Sequence, residues 1–415
     1  MSVAPASAGL HAKPPGRKVQ AALRKTTEFL ASELAEPHQD APPWSAVEWA
    51  IARAVTTMHG VSPLLSCTRH WQGPPDWVQF LTDQREHTRR RYERTHALLQ
   101  LVGERARSCG VGLIPLKGAA LHALGVYLAG ERPMADIDLL ARQEDALCVG
   151  RMLETLGFHE TYSTWKHRVF EPNEAPVAAA FGEHADNAMK IELHTRIREI
   201  LPLHEIELTQ QIFARALQPG INDYPSKSAL MAHLLLHASG AMVFRALRLI
   251  NLHDIACLSA RMTNDDWDEF LENGNARNKK LWWAFPPLYL AARYYPAISE
   301  KIMATIAAGC PALLRRVCAR RRLTDVSCSH LWISAFPGIE WAASIPEMLT
   351  YIKRRVLPNA DLRAMREVIA TTQGFASEDP WMRLSQRRRM LRWLVARQAR
   401  GETLRPVRIA LAGSR

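Results

Sequence analysis

Two aspartates separated by one apolar residue are the first candidates for chemistry in this sequence. Asp136 and Asp138 flank Ile137 in an apolar segment, 136–140, that is predicted to be a strand. Side chains of a strand alternate between its two faces, so both carboxylates leave the same face. Two carboxylates this close repel each other unless a cation lies between them. The pair therefore predicts an oxygen-lined divalent site, with Mg²⁺ as its simplest occupant.

The residues before this pair predict a turn that could approach a ligand. Residues 112–116 form a short apolar run, predicted to be a strand, and Lys117 and Gly118 end it. Glycine lets the backbone turn tightly and come close to a bound group. A short amphipathic helix follows, and the amides at its N-terminus are suited to phosphate oxygens. Arg132 lies in the polar turn that leads to Asp136.

A second strand with polar residues on one face is predicted downstream, at residues 188–195. Glu192, His194 and Arg196 share one face by the period of two, while Ile191 and its alternating neighbours face the other side. This strand offers a third carboxylate to the site.

Taken in order, these three motifs resemble a known family. LKG at 116–118, Arg132 followed by DIDLL at 136–140, and IELHTR at 191–196 are similar to the uncharacterised nucleotidyltransferase family of the polymerase-β-like nucleotidyltransferase superfamily. The detailed likeness covers residues 110–200. The wider superfamily usually has Gly-Ser or Gly-Gly at positions 117–118, with a shorter gap to the carboxylates. Both departures resemble the uncharacterised branch.

The resemblance implies an enzyme and assigns roles to these residues. It implies transfer of a nucleoside monophosphate from a nucleoside triphosphate, such as ATP, to an acceptor hydroxyl, with Mg²⁺ or Mn²⁺ as cofactor. Asp136 and Asp138 would hold the metal ions, and Glu192 would complete the metal site and draw the proton from the acceptor. Lys117 and Gly118 would bind the triphosphate, with Lys117 acting as a point charge.

Several neighbouring residues have more than one interpretation. Arg132 could bind phosphate, pair with Asp136 or form a purely structural salt bridge. His194 and Arg196 could contact the nucleotide or simply orient Glu192. We assign all three to cofactor binding.

Two histidines further along the chain are also spaced for chemistry. His233 and His237 are one helical turn apart, as in a zinc pair. No glutamate of an HExxH motif and no third ligand accompany them, so the pattern favours histidines that are satisfied within a helix.

Composition limits the remaining function classes. The 415 residues are 47% hydrophobic and 23% charged, no apolar run reaches the length of a membrane span, and the leader does not read as a secretory signal. Seven scattered cysteines predict neither a disulfide framework nor a zinc knuckle, which fits a reducing cytoplasm. The net charge of +12 comes largely from late arginine runs, so nucleic acid is possible but not favoured. The acceptor, the preferred nucleotide and the oligomeric state stay open.

The predicted fold class is α+β, with a small mixed-sheet nucleotidyltransferase core embedded in a mainly α-helical protein. The predicted divisions are a disordered leader at 1–20, a helical segment at 21–108, the core at 109–200, and an arginine-rich helical domain at 201–415. The cleft is predicted to lie between the sheet and the C-terminal helices. The alternative function is a non-catalytic module that binds nucleotide or a partner, with its basic helices contacting nucleic acid or protein.

Overall fold

The computed structural model describes residues 16–173, 181–275, 281–296, 298–358 and 384–413. The α-helices within these ranges are α1 (Arg17–Ala35), α2 (Ala46–His59), α3 (Ser62–Thr68), α4 (Pro75–Ser108), α5 (Lys117–Ala123), α6 (Ala146–Thr155), α7 (Thr209–Ile212), α8 (Lys227–Val243), α9 (Leu249–Ser259), α10 (Asn264–Asn275), α11 (Phe285–Tyr294), α12 (Glu300–Ala308), α13 (Ala312–Arg320), α14 (Leu323–Val326), α15 (Ile345–Val356), α16 (Gln386–Val395) and α17 (Gly401–Ala412). The strands are β1 (Gly112–Pro115), β2 (Asp136–Leu140), β3 (Phe158–Ser163), β4 (His167–Pro172), β5 (Lys190–His194), β6 (Arg198–Leu201), β7 (His204–Glu207) and β8 (Gly220–Ile221).

Six of the strands form one mixed sheet in the order β3-β4-β5-β2-β1-β8. Strand β2 pairs in parallel with β5 and antiparallel with β1, while β8 is parallel to β1. Strands β6 and β7 form a separate antiparallel pair. This arrangement confirms the predicted fold class, a small mixed sheet within a mainly helical protein.

The pairing of β2 with β5 determines where the polar side chains of the two strands lie. Asp138 is directly opposite Glu192, and Leu139 is opposite Leu193. Opposite residues in a sheet point to the same face, so the two carboxylates leave one face and the two leucines leave the other. The leucine face packs in an apolar cluster with residues of α4 and α6, among them Val102. That burial leaves the carboxylate face free to line a cleft.

Helix α8 lies across the cleft from the carboxylate face. Most of its residues are buried around its whole circumference, as expected of a helix that packs on several sides. Ser226 caps its N-terminus by accepting a hydrogen bond from the Ala229 amide. Within the described ranges, no helix is both long and apolar enough to cross a membrane.

Two of the predicted divisions were wrong at their edges. Residues 17–20, placed in the disordered leader, belong to α1, where Val19 is buried in the core; residues 1–15 lie outside the described ranges. The region after residue 200, predicted to be helical, contains β7 and β8, and the division itself falls inside β6. Strands of two to four residues are too short to show a period of two, so the sequence pattern gives no sign of them.

Candidate functional site

A cleft with two connected lobes lies between the sheet and helices α8 and α9. The wide lobe has a volume of about 410 Å³ and the narrow lobe about 270 Å³. These volumes are in the range of small-molecule sites. The residues that line both lobes are Lys117, Asp136, Lys166, Glu199 and His237. The predicted carboxylates therefore face a cavity rather than open solvent.

Lys117 enters the cleft from a strained backbone position. Its φ of +49° is in the left-handed region, which residues other than glycine rarely adopt. Its Nζ donates a 2.8 Å hydrogen bond to Asp138 Oδ1. Burial opposes the charge, but the carboxylates of Asp138, Asp136 and Glu192 outweigh it and raise the pKa of Lys117. Such strain persists where surrounding contacts hold it, and it often marks functional sites.

The two aspartates of the predicted metal pair have opposite electrostatics. Burial and the charges of Asp138 and Glu192 raise the pKa of Asp136 to about 7, and Asp136 has no hydrogen-bond or ion-pair partner among the described residues. For Asp138, burial acts upward, but Lys117 and His194 hold its pKa well below the ordinary value. An uncompensated carboxylate beside two others fits a divalent cation with oxygen ligands.

Arg132 forms a structural ion pair instead of contacting Asp136. Its Nε and Nη2 donate to the two oxygens of Asp254, at 2.8 and 2.7 Å, and both side chains are buried. Gly118 makes room for this guanidinium, because a Cβ on Gly118 would lie 2.0 Å from Arg132 Nη1. The left-handed backbone that the turn requires is at Lys117, not at the glycine. Both Gly118 and Arg132 still line the wide lobe, so their contact with a nucleotide stays a prediction.

The strand β5 residues lie in the narrow lobe. His194 Nε2 is 2.9 Å from Asp138 Oδ1 and 3.7 Å from Glu192 Oε2. Burial lowers the pKa of His194, but hydrogen bonds to these two carboxylates outweigh it and raise the pKa. Glu192 is also 3.4 Å from His167 Nδ1, so it belongs to a cluster with two histidines. Arg196 is exposed at the rim of this lobe.

The histidines of α8 also face the narrow lobe. His233 Nδ1 is 2.7 Å from the Tyr224 hydroxyl, and burial with the Lys117 charge lowers the pKa of His233 to about 3. That hydrogen bond agrees with the interpretation of His233 as a satisfied helix histidine. His237 lines both lobes without belonging to a metal-ligand group of the described residues.

The sequence analysis missed several side chains of the cleft. Lys166 Nζ lies 2.6 Å from both oxygens of Glu199, and the guanidinium of Arg248 faces the wide lobe, where its charge lowers the pKa of Asp136. Glu199 lies two residues past β5, and Arg248 comes from the N-terminal end of α9. Each is an isolated charged residue in the sequence, so no local pattern distinguishes it from a surface charge.

Comparison with known proteins agrees with the motifs. A family model described as an uncharacterised nucleotidyltransferase matches residues 45–295, which include every cleft residue named above. No curated protein and no solved structure gives a match.

Proposed function

The chain belongs to the uncharacterised nucleotidyltransferase family, and from this premise we propose that it transfers a nucleoside monophosphate from a nucleoside triphosphate to an acceptor hydroxyl, releasing pyrophosphate. The observation that carries the proposal is the shared face of Asp136, Asp138 and Glu192 on two paired strands, at a cleft of about 410 Å³. Phosphoryl-transfer chemistry depends mainly on positioning and charge stabilisation, which such a face can supply.

Each side chain then has a role in holding charge or a proton. Asp136 and Asp138 would hold Mg²⁺ or Mn²⁺, which when bound would neutralise phosphate charge and activate the attacking hydroxyl. Glu192 accepts the proton of the acceptor hydroxyl. Lys117 fixes Asp138 through its 2.8 Å hydrogen bond and keeps a cation next to the phosphates.

The reaction is tested with each α-³²P-labelled nucleoside triphosphate and Mg²⁺ in cell extract. The wild-type chain is compared with an Asp136→Asn/Asp138→Asn double variant, and Asp145→Asn, which removes a carboxylate outside the cleft, is the matched control. A labelled product formed by the wild type and the control alone supports nucleotidyl transfer and reveals the acceptor class. Mg²⁺-dependent nucleotide binding without any labelled product would instead support the non-catalytic alternative.

Arg248 is the residue that we expect to bind the polyphosphate of the donor. The other cations of the wide lobe are already paired: Lys117 with Asp138, Arg132 with Asp254, and Lys166 with Glu199. Among the described residues, Arg248 has no carboxylate within salt-bridge distance. Its Nε donates to the Met58 carbonyl at 2.9 Å, which orients the guanidinium. The Nη groups are then available to an anionic ligand.

We expect Arg248→Met to weaken binding of a non-hydrolysable nucleoside triphosphate analogue at least about tenfold, the cost of losing a hydrogen bond to a charged group. Binding of the corresponding monophosphate should change little, because it lacks the terminal phosphates. Titration calorimetry measures both affinities, with Arg248→Lys as an intermediate and Arg151→Met, on the exposed face of α6, as the control. Equal losses for the two nucleotides would contradict the assignment.

A further inference from the structure

One group of side chains in the narrow lobe has the spacing of a metal site that differs from the aspartate pair. One ligand atom each from His167, Glu192 and His194 lie within 4.8 Å of one another. Glu192 Oε2 is 3.4 Å from His167 Nδ1 and 3.7 Å from His194 Nε2. Bonds of about 2.1 Å in a tetrahedral site separate neighbouring ligand atoms by about 3.4 Å. The group is therefore close to ligating geometry without any rearrangement of the backbone.

The sheet holds these three side chains on a rigid platform. Strands β4 and β5 are antiparallel, and His167 is directly opposite His194. Glu192 precedes His194 by two residues, so it leaves the same face of β5. Ligands carried by paired strands are positioned more precisely than ligands on loops.

His167 Nδ1 has an unmet requirement that a ligand would satisfy. This atom is buried and has no hydrogen-bond partner among the described residues. A buried polar atom without a partner costs free energy, so its position calls for an explanation. Burial, partly offset by Glu192, lowers the pKa of His167 to about 4, which keeps the imidazole neutral as a metal ligand must be.

We propose that His167, Glu192 and His194 bind a divalent transition-metal ion of the Zn²⁺ class in preference to Mg²⁺. Two imidazole nitrogens suit zinc, iron and cobalt, whereas Mg²⁺ prefers an all-oxygen shell. Binding displaces the hydrogen that His194 Nε2 shares with Asp138 and releases it to solvent as a proton. The lobe of about 270 Å³ leaves room for water or a substrate oxygen at the remaining coordination position, as in catalytic rather than structural zinc sites.

This site extends the proposed function but does not depend on it. It adds a second ion beside the one that Asp136 and Asp138 would hold, with Glu192 near both. The test requires neither nucleotide nor acceptor, so it can fail while nucleotidyl transfer stands.

The probe is Co²⁺ added to the chelator-treated full chain and followed by visible absorption. We expect ligand-field bands that saturate near one equivalent, that Zn²⁺ displaces, and that a large excess of Mg²⁺ leaves in place. His167→Gln should weaken Co²⁺ binding at least about tenfold, since loss of even an outer-shell partner commonly costs 10–100-fold. His237→Gln is the matched control, because His237 lines the same lobe outside the cluster and its loss should leave the bands unchanged.

Two further measurements keep the result unambiguous. Cys109 and Cys148 are exposed neighbouring thiols, so all titrations use a Cys109→Ser background to exclude cobalt–thiolate binding. In the unmutated cluster, the EPR spectrum of Cu²⁺ should show coupling to imidazole nitrogens, which does not depend on how His167→Gln folds. Absence of nitrogen coupling, equal Co²⁺ affinity in His167→Gln, or displacement of Co²⁺ by Mg²⁺ as readily as by Zn²⁺ would overturn the proposal.

Discussion

Replacing Asp136 with asparagine is expected to abolish nucleotidyl transfer and at the same time to stabilise the metal-free protein. Loss of a metal-holding carboxylate should lower the rate at least about a thousandfold, equivalent to about 4 kcal/mol of activation free energy. The stability gain arises because Asp136 is buried beside Asp138 and Glu192, and has no partner among the described residues. Asparagine removes the repulsion but keeps the shape of the side chain. Improved stability with lost activity is the usual sign of a site shaped for function.

The stability gain should depend on pH with a defined sign. The folded-state pKa of Asp136 is about 7, above the ordinary value of 3.8. A raised carboxylate pKa means that the folded protein binds the proton more tightly, so Asp136 penalises folding as pH rises from about 4 to about 7. We expect Asp136→Asn to gain on the order of 2 kcal/mol at pH 8, because each pKa unit corresponds to about 1.4 kcal/mol, and nothing at pH 3. Denaturant unfolding in chelator at the two pH values measures this.

Asp138→Asn provides the matched comparison with the opposite sign. Lys117 and His194 hydrogen-bond to Asp138 and lower its pKa, so its carboxylate stabilises the folded state at neutral pH. Its loss should therefore lower stability at pH 8 while also abolishing transfer. If both variants change stability in the same direction, the asymmetry between the two aspartates is wrong.

The short-range parts of this site were predictable because they depend on local periods. The alternation in β2 places Asp136 and Asp138 on one face, and the strand has the predicted bounds. The capping-box spacing of Ser45 and Glu48 likewise corresponds to an observed reciprocal cap at the start of α2. Within one strand or one helix turn, covalent geometry fixes which side chains are neighbours.

The long-range parts were not predictable, since no local rule fixes them. His167 gains its meaning only from the register of β4 on β5, which a single sequence does not specify. Arg132 was correctly considered for a structural salt bridge, but its partner Asp254 is 122 residues away. Gly118 suggested a flexible turn, whereas its role in packing becomes visible only with the Arg132 guanidinium beside it.

The Arg132–Asp254 pair is the element whose disruption should cost the most stability. Both charges are buried, and the Tyr127 hydroxyl donates a further hydrogen bond of 2.8 Å to Asp254 Oδ1. Asp254→Asn removes the charge that compensates Arg132, and leaving one buried charge without its partner commonly costs about 3–5 kcal/mol. Thermal and denaturant unfolding measure the loss. Glu86→Gln, which breaks an exposed ion pair with Arg89, should hardly change stability.

A double variant, Arg132→Met/Asp254→Leu, separates the value of the pair from the cost of an orphaned charge. Apolar side chains of similar size can replace a buried ion pair at little cost, so this protein should be more stable than Asp254→Asn alone. Because Asp254 belongs to α9, and Arg248 at the N-terminal end of that helix faces the wide lobe, nucleotide affinity should recover together with stability. Recovery of stability without recovery of affinity would mean that the guanidinium of Arg132 itself contacts the nucleotide, as the sequence motif predicted. If the double variant loses as much stability as the two single variants combined, Arg132 and Asp254 are not energetically coupled.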